Sequence, residues 1–134
     1  MGLDRVHGIV QEGFARTMGI EFVESAPDRV VLRLPYGPHL GVGRIHGGAI
    51  SAFVDTAATA AFWSLPHPPP NARGATVGFT IHFLRLAVGV DLIATATVRR
   101  RGGTISVGEV CVTDADGAEI AMATVTYKLD AGQR

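Results

Sequence analysis

A histidine–glycine–glycine triplet opens the most apolar stretch of the chain, and that stretch contains a single carboxylate. Residues 44–65 read RIHGGAISAFVDTAATAAFWSL, in which Asp55 follows Gly47 by eight residues. Unpaired carboxylates are costly to bury and rarely found inside proteins, so an acid at this position indicates function. Such an acid can activate water as a general base or attack a carbonyl directly, and the sequence leaves both roles open.

The glycines of the triplet could supply the second part of a hydrolytic site. They lie where a Gly-rich loop, residues 36–45, meets a helix predicted over residues 47–65. The first amides of a helix have no partner within it, and the helix dipole favours negative charge there. Because glycine lets a substrate approach the backbone closely, an N–H at this junction could stabilise a developing oxyanion, although two glycines alone would equally form a simple turn before the helix.

The spacing of these two groups predicts more than one chain. Eight residues rise about 12 Å along a helix, so Gly47 and Asp55 of one helix cannot both contact one carbonyl. Two antiparallel helices from two copies would place Gly47 of one beside Asp55 of the other. We therefore expect a homodimer with two equivalent sites at an isologous interface.

The remaining pattern predicts a single α+β domain, residues 1–134, that positions this helix. The central helix is apolar nearly all round, which is typical of a helix buried against a curved sheet and covered by a partner subunit. The predicted elements are a helix over 4–18, a hairpin around Ala26-Pro27-Asp28, the helix over 47–65, and antiparallel strands over 75–87, 90–101, 104–114 and 118–129.

Composition excludes several classes of protein. The chain has 134 residues, of which 47% are hydrophobic and 18% charged, with a formal net charge of zero. These values favour a compact globular protein and argue against a nucleic-acid partner. Asp55 within the apolar run argues against a membrane span, and the single Cys111 cannot form an internal disulfide. We expect a soluble cytoplasmic protein without a signal peptide or a membrane partner.

The triplet, the six residues that follow it and Asp55 resemble the motif of hotdog-fold acyl-CoA thioesterases of the phenylacetyl-CoA and 4-hydroxybenzoyl-CoA type. The strand ATVGFTIHFLRLA and the hairpin VRRRGGTISVGEVCVTDADG are similar to that family too, and the resemblance covers about residues 18–129. It implies a hotdog fold, a curved antiparallel β-sheet wrapped around one long central α-helix. It also implies a homodimer or homotetramer that hydrolyses an aryl- or medium-chain acyl-CoA, with no cofactor beyond the coenzyme A of the substrate.

The resemblance assigns a role to each residue of the motif. Asp55 matches the catalytic carboxylate, and Gly47 matches the glycine whose N–H polarises the thioester carbonyl. His46 and Gly48 match the flanking motif, with His46 expected to orient the loop or cap the helix. Thr76 aligns with a Ser or Thr that positions the water or the substrate.

One position departs from the family pattern. Leu40 stands where the family usually has Asn or Gln, and the neighbouring His39 is a candidate to replace that amide. The departure favours an alternative, a non-catalytic acyl-CoA binding protein of the same fold. A further alternative is an enoyl-CoA hydratase or dehydratase, which pairs a histidine with an acid in a motif that this chain lacks.

Other residues are candidates to support the site or to bind the substrate. Ser51 and Thr59, one helical turn to either side of Asp55, share its helix face and could hydrogen-bond to it. The histidines have no metal-ligand spacing, so no metal is expected. Candidates for the acyl pocket are Phe53, Phe62, Trp63 and Phe79, and candidates for the coenzyme A phosphates are Arg85, Arg99 and Arg100, with Arg73 and Arg101 also available.

Overall fold

A computed structural model of the protein describes residues 2–130, with side chains from Arg5 onward. None of the helices in this range combines the length and the apolar composition that a membrane crossing requires. The elements, in chain order, are α1 (Gly2–Gln11), α2 (Gly13–Met18), β1 (Glu21–Ala26), β2 (Arg29–Leu34), a short 3-10 turn (Pro38–Leu40), α3 (Gly47–Phe62), β3 (Arg73–Phe83), β4 (Leu92–Arg101), β5 (Ile105–Asp114) and β6 (Glu119–Asp130).

The strands form one antiparallel sheet of six strands in the order β1-β2-β4-β5-β6-β3. The helix α3 lies across one face of the sheet and contacts β2 through β6. The predicted α+β architecture, one sheet around a central helix, is therefore confirmed. The strand β3 lies at the edge of the sheet, and β6 is its only neighbour among the described strands.

Small side chains let α3 approach the sheet closely. Four alanines of α3 are buried together with its larger apolar residues, and Phe53 is fully inaccessible. The strands follow the alternation expected of a sheet with one covered face: on β4, Leu92 and Ala94 are buried while Thr95 is partly exposed. The helix α1 contacts α3 and contributes Val6 to the core. Burial of this continuous apolar face supplies the main driving force for the fold.

A β-bulge divides β3 into two halves. The register with β6 shifts between Thr76 and Gly78, so Val77 is the extra residue. Because strand side chains alternate between faces, one extra residue changes which positions face the helix. Thr76 and, beyond the bulge, Phe79 and Phe83 therefore lie on the helix side. Their partners on β6 are the buried residues Tyr127, Val125 and Ala121 respectively.

Three predicted boundaries need correction. The helix expected over 4–18 is interrupted at Glu12, because Gly13 adopts a left-handed conformation with φ of 59°. The central helix ends at Phe62 instead of residue 65. The strand expected over 75–87 ends at Phe83, since the next two backbone amides both donate to the carbonyl oxygen of Ile120. Helix and strand ends depend on these individual hydrogen bonds, which the apolar pattern does not specify.

Candidate active site

The start of α3 leaves one backbone amide without a partner. His46 is the N-cap: its Nδ1 accepts the Gly48 N–H at 2.8 Å, as predicted for a capping role. Its carbonyl oxygen accepts the N–H groups of Ala49 and Ile50, at 2.9 and 3.1 Å. Within residues 2–130, the Gly47 N–H donates to no other group. The amide that the sequence nominates as oxyanion donor is therefore free to bind a ligand.

The loop before α3 is held in place by backbone hydrogen bonds. The His46 N–H donates to the Leu40 carbonyl oxygen at 2.7 Å, and the Ile45 N–H donates to the Ala87 carbonyl oxygen at 2.8 Å. These bonds fix the loop to the 3-10 turn on one side and to the connection between β3 and β4 on the other. The free Gly47 amide is consequently presented from a fixed backbone, which is the arrangement that an oxyanion donor needs.

A cleft of about 470 Å³ opens beside Gly47. The Phe83 ring forms one wall and lies so close that a Cβ built on Gly47 would be 3.4 Å from it. Ile50 and Leu86 add apolar surface, and Arg44 and Arg85 bring the only guanidinium groups among the lining residues. Neither arginine makes an ion pair or side-chain hydrogen bond within residues 2–130. The cleft thus combines an apolar wall, a free amide and two unpaired cations.

Asp55 lies further along α3 and is held from β3. The Thr76 hydroxyl donates to Asp55 Oδ1 at 2.6 Å in a partly buried position. Neither Ser51 nor Thr59 takes this role: the Ser51 hydroxyl donates to the Gly47 carbonyl oxygen at 2.9 Å, and Thr59 makes no bond to the carboxylate. The structure therefore brings Asp55 and Thr76 together, and the β3 bulge is what turns Thr76 toward the helix.

The two parts of the site are separate within one chain. Gly47 begins α3 and Asp55 is in its third turn, so helical rise places them about 12 Å apart along the axis. Asp55 is not among the residues that line the cleft at Gly47. A single protomer accordingly presents the Gly47 amide and the Asp55 carboxylate at two different places.

Several predicted site residues lie away from the cleft. Leu40 is 3% exposed and belongs to the core, where its contribution to the loop is its backbone carbonyl. His39 does not take the place of an amide at Gly47, because its Nε2 bonds to the Met18 carbonyl oxygen at 2.7 Å. Phe53 is fully buried, as Phe62 and Trp63 nearly are, so none of the three lines the cleft. Phe79 is on the helix side of the edge strand and is 38% exposed.

The structure separates the candidate phosphate-binding arginines into two groups. Arg85 lines the cleft together with Arg44, which the sequence pattern did not single out. Arg99 lies on β4, outside the cleft, where its guanidinium is 3.6 Å from the Glu109 carboxylate. Arg100 is an exposed residue of the same strand and does not line the cleft either. Arg44 is adjacent to the HGG motif, and that proximity is the signal that could have identified it.

A buried tyrosine near Asp55 was also missed. Tyr127 lies opposite Thr76 in the β3–β6 ladder, and its hydroxyl accepts the Trp63 Nε1–H at 2.8 Å. Burial raises the pKa of Tyr127 above its ordinary value, the Trp63 hydrogen bond opposes this rise, and the charge of Asp55 adds to it. In sequence Tyr127 is an ordinary apolar position of a strand, so its proximity to the carboxylate depends on the sheet order.

Comparison with known proteins agrees with this geometry. The model of the thioesterase superfamily matches residues 42–121, which include both parts of the site. The chain belongs to the thioesterase superfamily. A Halobacterium salinarum relative, whose name assigns it only provisionally as an esterase, is 32% identical over 128 residues that cover 87% of this chain and 84% of the relative.

Solved structures of similar proteins establish the fold. A thioesterase family protein from Silicibacter pomeroyi superimposes with a TM-score of 0.87 at 28% identity, covering 96% of this chain and 98% of its own. The Escherichia coli PaaI protein from the phenylacetic acid degradation operon superimposes with a TM-score of 0.82 at 21% identity, covering 95% and 91%. The hotdog fold is therefore confirmed, and superfamily membership indicates a hydrolase that acts on a thioester.

Proposed function

We propose that this thioesterase hydrolyses an aryl- or medium-chain acyl-CoA to the free acid and coenzyme A. Asp55 of one protomer and the Gly47 amide of its partner would act on the same carbonyl. The observation that carries the proposal is the free Gly47 N–H, which opens onto an apolar cleft from the helix that also holds the Asp55–Thr76 pair.

The Gly47 amide supplies the electrophilic half of the reaction. When a nucleophile adds to the thioester carbon, negative charge develops on the carbonyl oxygen, and a fixed N–H at a helix start stabilises that charge. The amide needs no rearrangement to do this, because the neighbouring His46 and Ile45 amides hold the loop in position. Loss of one such donor lowers kcat by roughly 10²–10³-fold in a hydrolase where it has been measured.

Asp55 supplies the nucleophilic half by one of two routes. As a general base, it takes a proton from water while the water oxygen bonds to the thioester carbon; the carbon–sulfur bond then breaks and the thiolate is protonated. As a nucleophile, it forms an anhydride with release of the thiol, and water then hydrolyses the anhydride. In either route Thr76 occupies Oδ1, which leaves Oδ2 as the oxygen that faces the water or the carbonyl.

The edge strand β3 supports the dimer that this chemistry requires. Its outer edge has no neighbouring strand within residues 2–130, and it carries exposed apolar residues, with Val77 61% and Phe83 50% exposed. An exposed apolar edge is a template for pairing with another strand. Antiparallel pairing of two β3 strands across a two-fold axis would lay the two α3 helices side by side in opposite directions, with Gly47 of one near Asp55 of the other. Two such dimers could associate as a homotetramer.

Arg44 and Arg85 support coenzyme A as the carrier of the acyl group. Guanidinium groups bind phosphates through charge-assisted hydrogen bonds, and these two line the cleft without an ion pair to any described side chain. The apolar wall formed by Phe83, Ile50 and Leu86 suits the acyl or aryl portion. An acyl-CoA would therefore place its phosphates near the two arginines and its apolar acyl or aryl portion near the Phe83 ring.

The test is release of free thiol from a panel of acyl- and aryl-CoAs by the native protein and by Asp55→Asn. We expect turnover by the native protein and a fall of several orders of magnitude in kcat for the variant, with binding of the ester retained. Binding of acyl-CoA by the native protein without turnover of any ester would contradict the proposal. It would instead support the non-catalytic binding protein that Leu40 favours.

A further inference from the structure

Trp63 and Tyr127 form a buried hydrogen-bonded pair at the end of α3. The Trp63 Nε1–H donates to the Tyr127 hydroxyl at 2.8 Å, and the two residues are only 4% and 3% exposed. The Phe62 ring stacks on the Tyr127 ring with centroids 4.9 Å apart and planes 6° from parallel. The Arg5 guanidinium lies 4.2 Å from the centroid of the Trp63 ring on its other side. Packing and a hydrogen bond therefore fix both the ring and the hydroxyl of Tyr127.

This fixed tyrosine flanks the residue that holds Asp55. Tyr127 and Thr76 are direct cross-strand partners on the helix side of the sheet, where the Cβ atoms of such pairs lie roughly 4.5–5.5 Å apart. Gly74, two residues earlier on the same face, makes room for the phenol, since a Cβ built there would collide with the Tyr127 hydroxyl. The hydroxyl is consequently enclosed between Trp63 and the Gly74–Thr76 backbone.

The Tyr127 hydroxyl has hydrogen-bonding capacity that the fold does not use. A tyrosine hydroxyl can donate one hydrogen and accept others, and this one accepts from Trp63. Within residues 2–130 its own hydrogen is donated to no group. Buried hydroxyls nearly always find an acceptor. An unused donor thus belongs to the direct cross-strand partner of Thr76, the residue that holds Asp55.

We propose that Tyr127 is a positioning residue for the reaction: the Trp63 hydrogen bond and the Phe62 stack fix its ring, and the fixed ring holds Thr76 against Asp55. This inference rests on the proposed thioesterase activity. Because Tyr127 acts through the Asp55–Thr76 pair and does not line the cleft at Gly47, its loss affects kcat and leaves KM nearly unchanged.

The experiment compares Tyr127→Phe and Trp63→Phe with a matched control. Tyr127→Phe removes one oxygen and keeps the ring, whereas Trp63→Phe keeps the hydroxyl and removes its anchor. We expect kcat for thiol release to fall about tenfold in Tyr127→Phe, the effect of one lost hydrogen bond, with KM within about twofold. Trp63→Phe should show a comparable fall, because it removes the same hydrogen bond. The chain has two tyrosines, and Tyr36→Phe, at an exposed position outside the cleft, should leave both constants unchanged.

A spectroscopic measurement separates positioning from a loss of folded protein. Trp63 is the only tryptophan, so the emission of the protein reports on this pair. Titration with an unreactive acyl-CoA thioether should change the emission of the native protein. Tyr127→Phe should bind the thioether with similar affinity by calorimetry but with a diminished change in emission. Circular dichroism at the assay temperature verifies that each variant is folded.

The outcomes distinguish this inference from the proposed function. If Asp55→Asn abolishes turnover while folded Tyr127→Phe retains the native kcat, the inference about Tyr127 is wrong and the proposed function stands. If Tyr127→Phe raises KM with kcat unchanged, Tyr127 contributes to binding and the positioning role is likewise wrong. If Asp55→Asn turns over as fast as the native protein, the role proposed for Asp55 is wrong, and the positioning role of Tyr127 with it; if the native protein turns over no ester, the proposed function itself fails.

Discussion

Replacement of Thr76 by valine isolates the one side-chain hydrogen bond that Asp55 accepts within residues 2–130. Valine has nearly the shape of threonine and is favoured in strands, so β3 and its pairing with β6 should persist. The substitution removes the 2.6 Å bond from the hydroxyl to Asp55 Oδ1 and leaves the carboxylate free to rotate. The matched variant Thr76→Ser restores a hydroxyl on the same carbon.

The geometry of this bond sets the size of the expected effect. Short hydrogen bonds to ionised carboxylates contribute about 1.5–3 kcal/mol, which corresponds to roughly 10- to 150-fold in rate if the bond is needed in the transition state. Stability should change less, by about 1 kcal/mol, because Asp55 is only partly buried and water can replace the lost donor. We therefore expect a large fall in kcat, a nearly constant KM and a small loss of stability.

Two measurements test this expectation. Steady-state thiol release gives kcat and KM for the native protein, Thr76→Val and Thr76→Ser, and urea unfolding gives their stabilities. Thr76→Ser should recover most of the lost kcat. A native kcat in folded Thr76→Val would refute the reasoning, because it would show that the carboxylate is oriented without the hydroxyl. If Thr76→Ser does not recover the activity that Thr76→Val loses, the loss comes from a change in the strand and not from the missing hydroxyl.

Three further predictions concern the cleft, the edge strand and the helix cap. Arg44→Ala and Arg85→Ala should each raise KM for acyl-CoA about tenfold, but should leave KM unchanged for an N-acetylcysteamine thioester, which lacks phosphates. The control Arg29→Ala, on the outer hairpin, should change KM for neither substrate, and equal effects of the cleft variants on both substrates would exclude phosphate binding. Val77→Glu should leave the protomer folded and weaken the dimer and its activity together in sedimentation and thiol-release assays; a fully dimeric variant would contradict pairing through β3. His46→Ala should lower the free energy of unfolding by about 1 kcal/mol in urea titrations, since the Gly48 N–H loses its cap, and unchanged stability would show that water replaces it.

The elements with a strong local pattern could be predicted from the sequence. The helix α3 follows from an uninterrupted apolar run after two glycines, and the strands follow from β-branched residues between turns. Asp55 and Gly47 could be nominated because the HGG triplet and its spacing to Asp55 resemble a family motif. If both groups act on one carbonyl, helical rise requires two chains, and the separation of the two groups in the structure agrees with that reasoning.

The rest of the site depends on contacts between distant segments. No local sequence pattern predicts a β-bulge at Val77, yet this one extra residue determines that Thr76 faces Asp55. Tyr127 becomes a neighbour of Asp55 only because β6 pairs with the edge strand β3. Likewise, Arg85 and Arg99 are equivalent cations in sequence, and only the loop after β3 brings Arg85 to the cleft. Such relations are set by tertiary pairing, which single-sequence patterns do not contain.

The departure at Leu40 has a physical interpretation in this structure. Its side chain is enclosed in the core, and its carbonyl oxygen accepts the His46 N–H at 2.7 Å. The position therefore stabilises the loop through its backbone and its apolar volume. With no side-chain donor at this position, the proposed mechanism has the Gly47 N–H and the helix dipole as its means of polarising the carbonyl. In that mechanism the single donor, held by the fixed loop, would be more important than in a site with a second one.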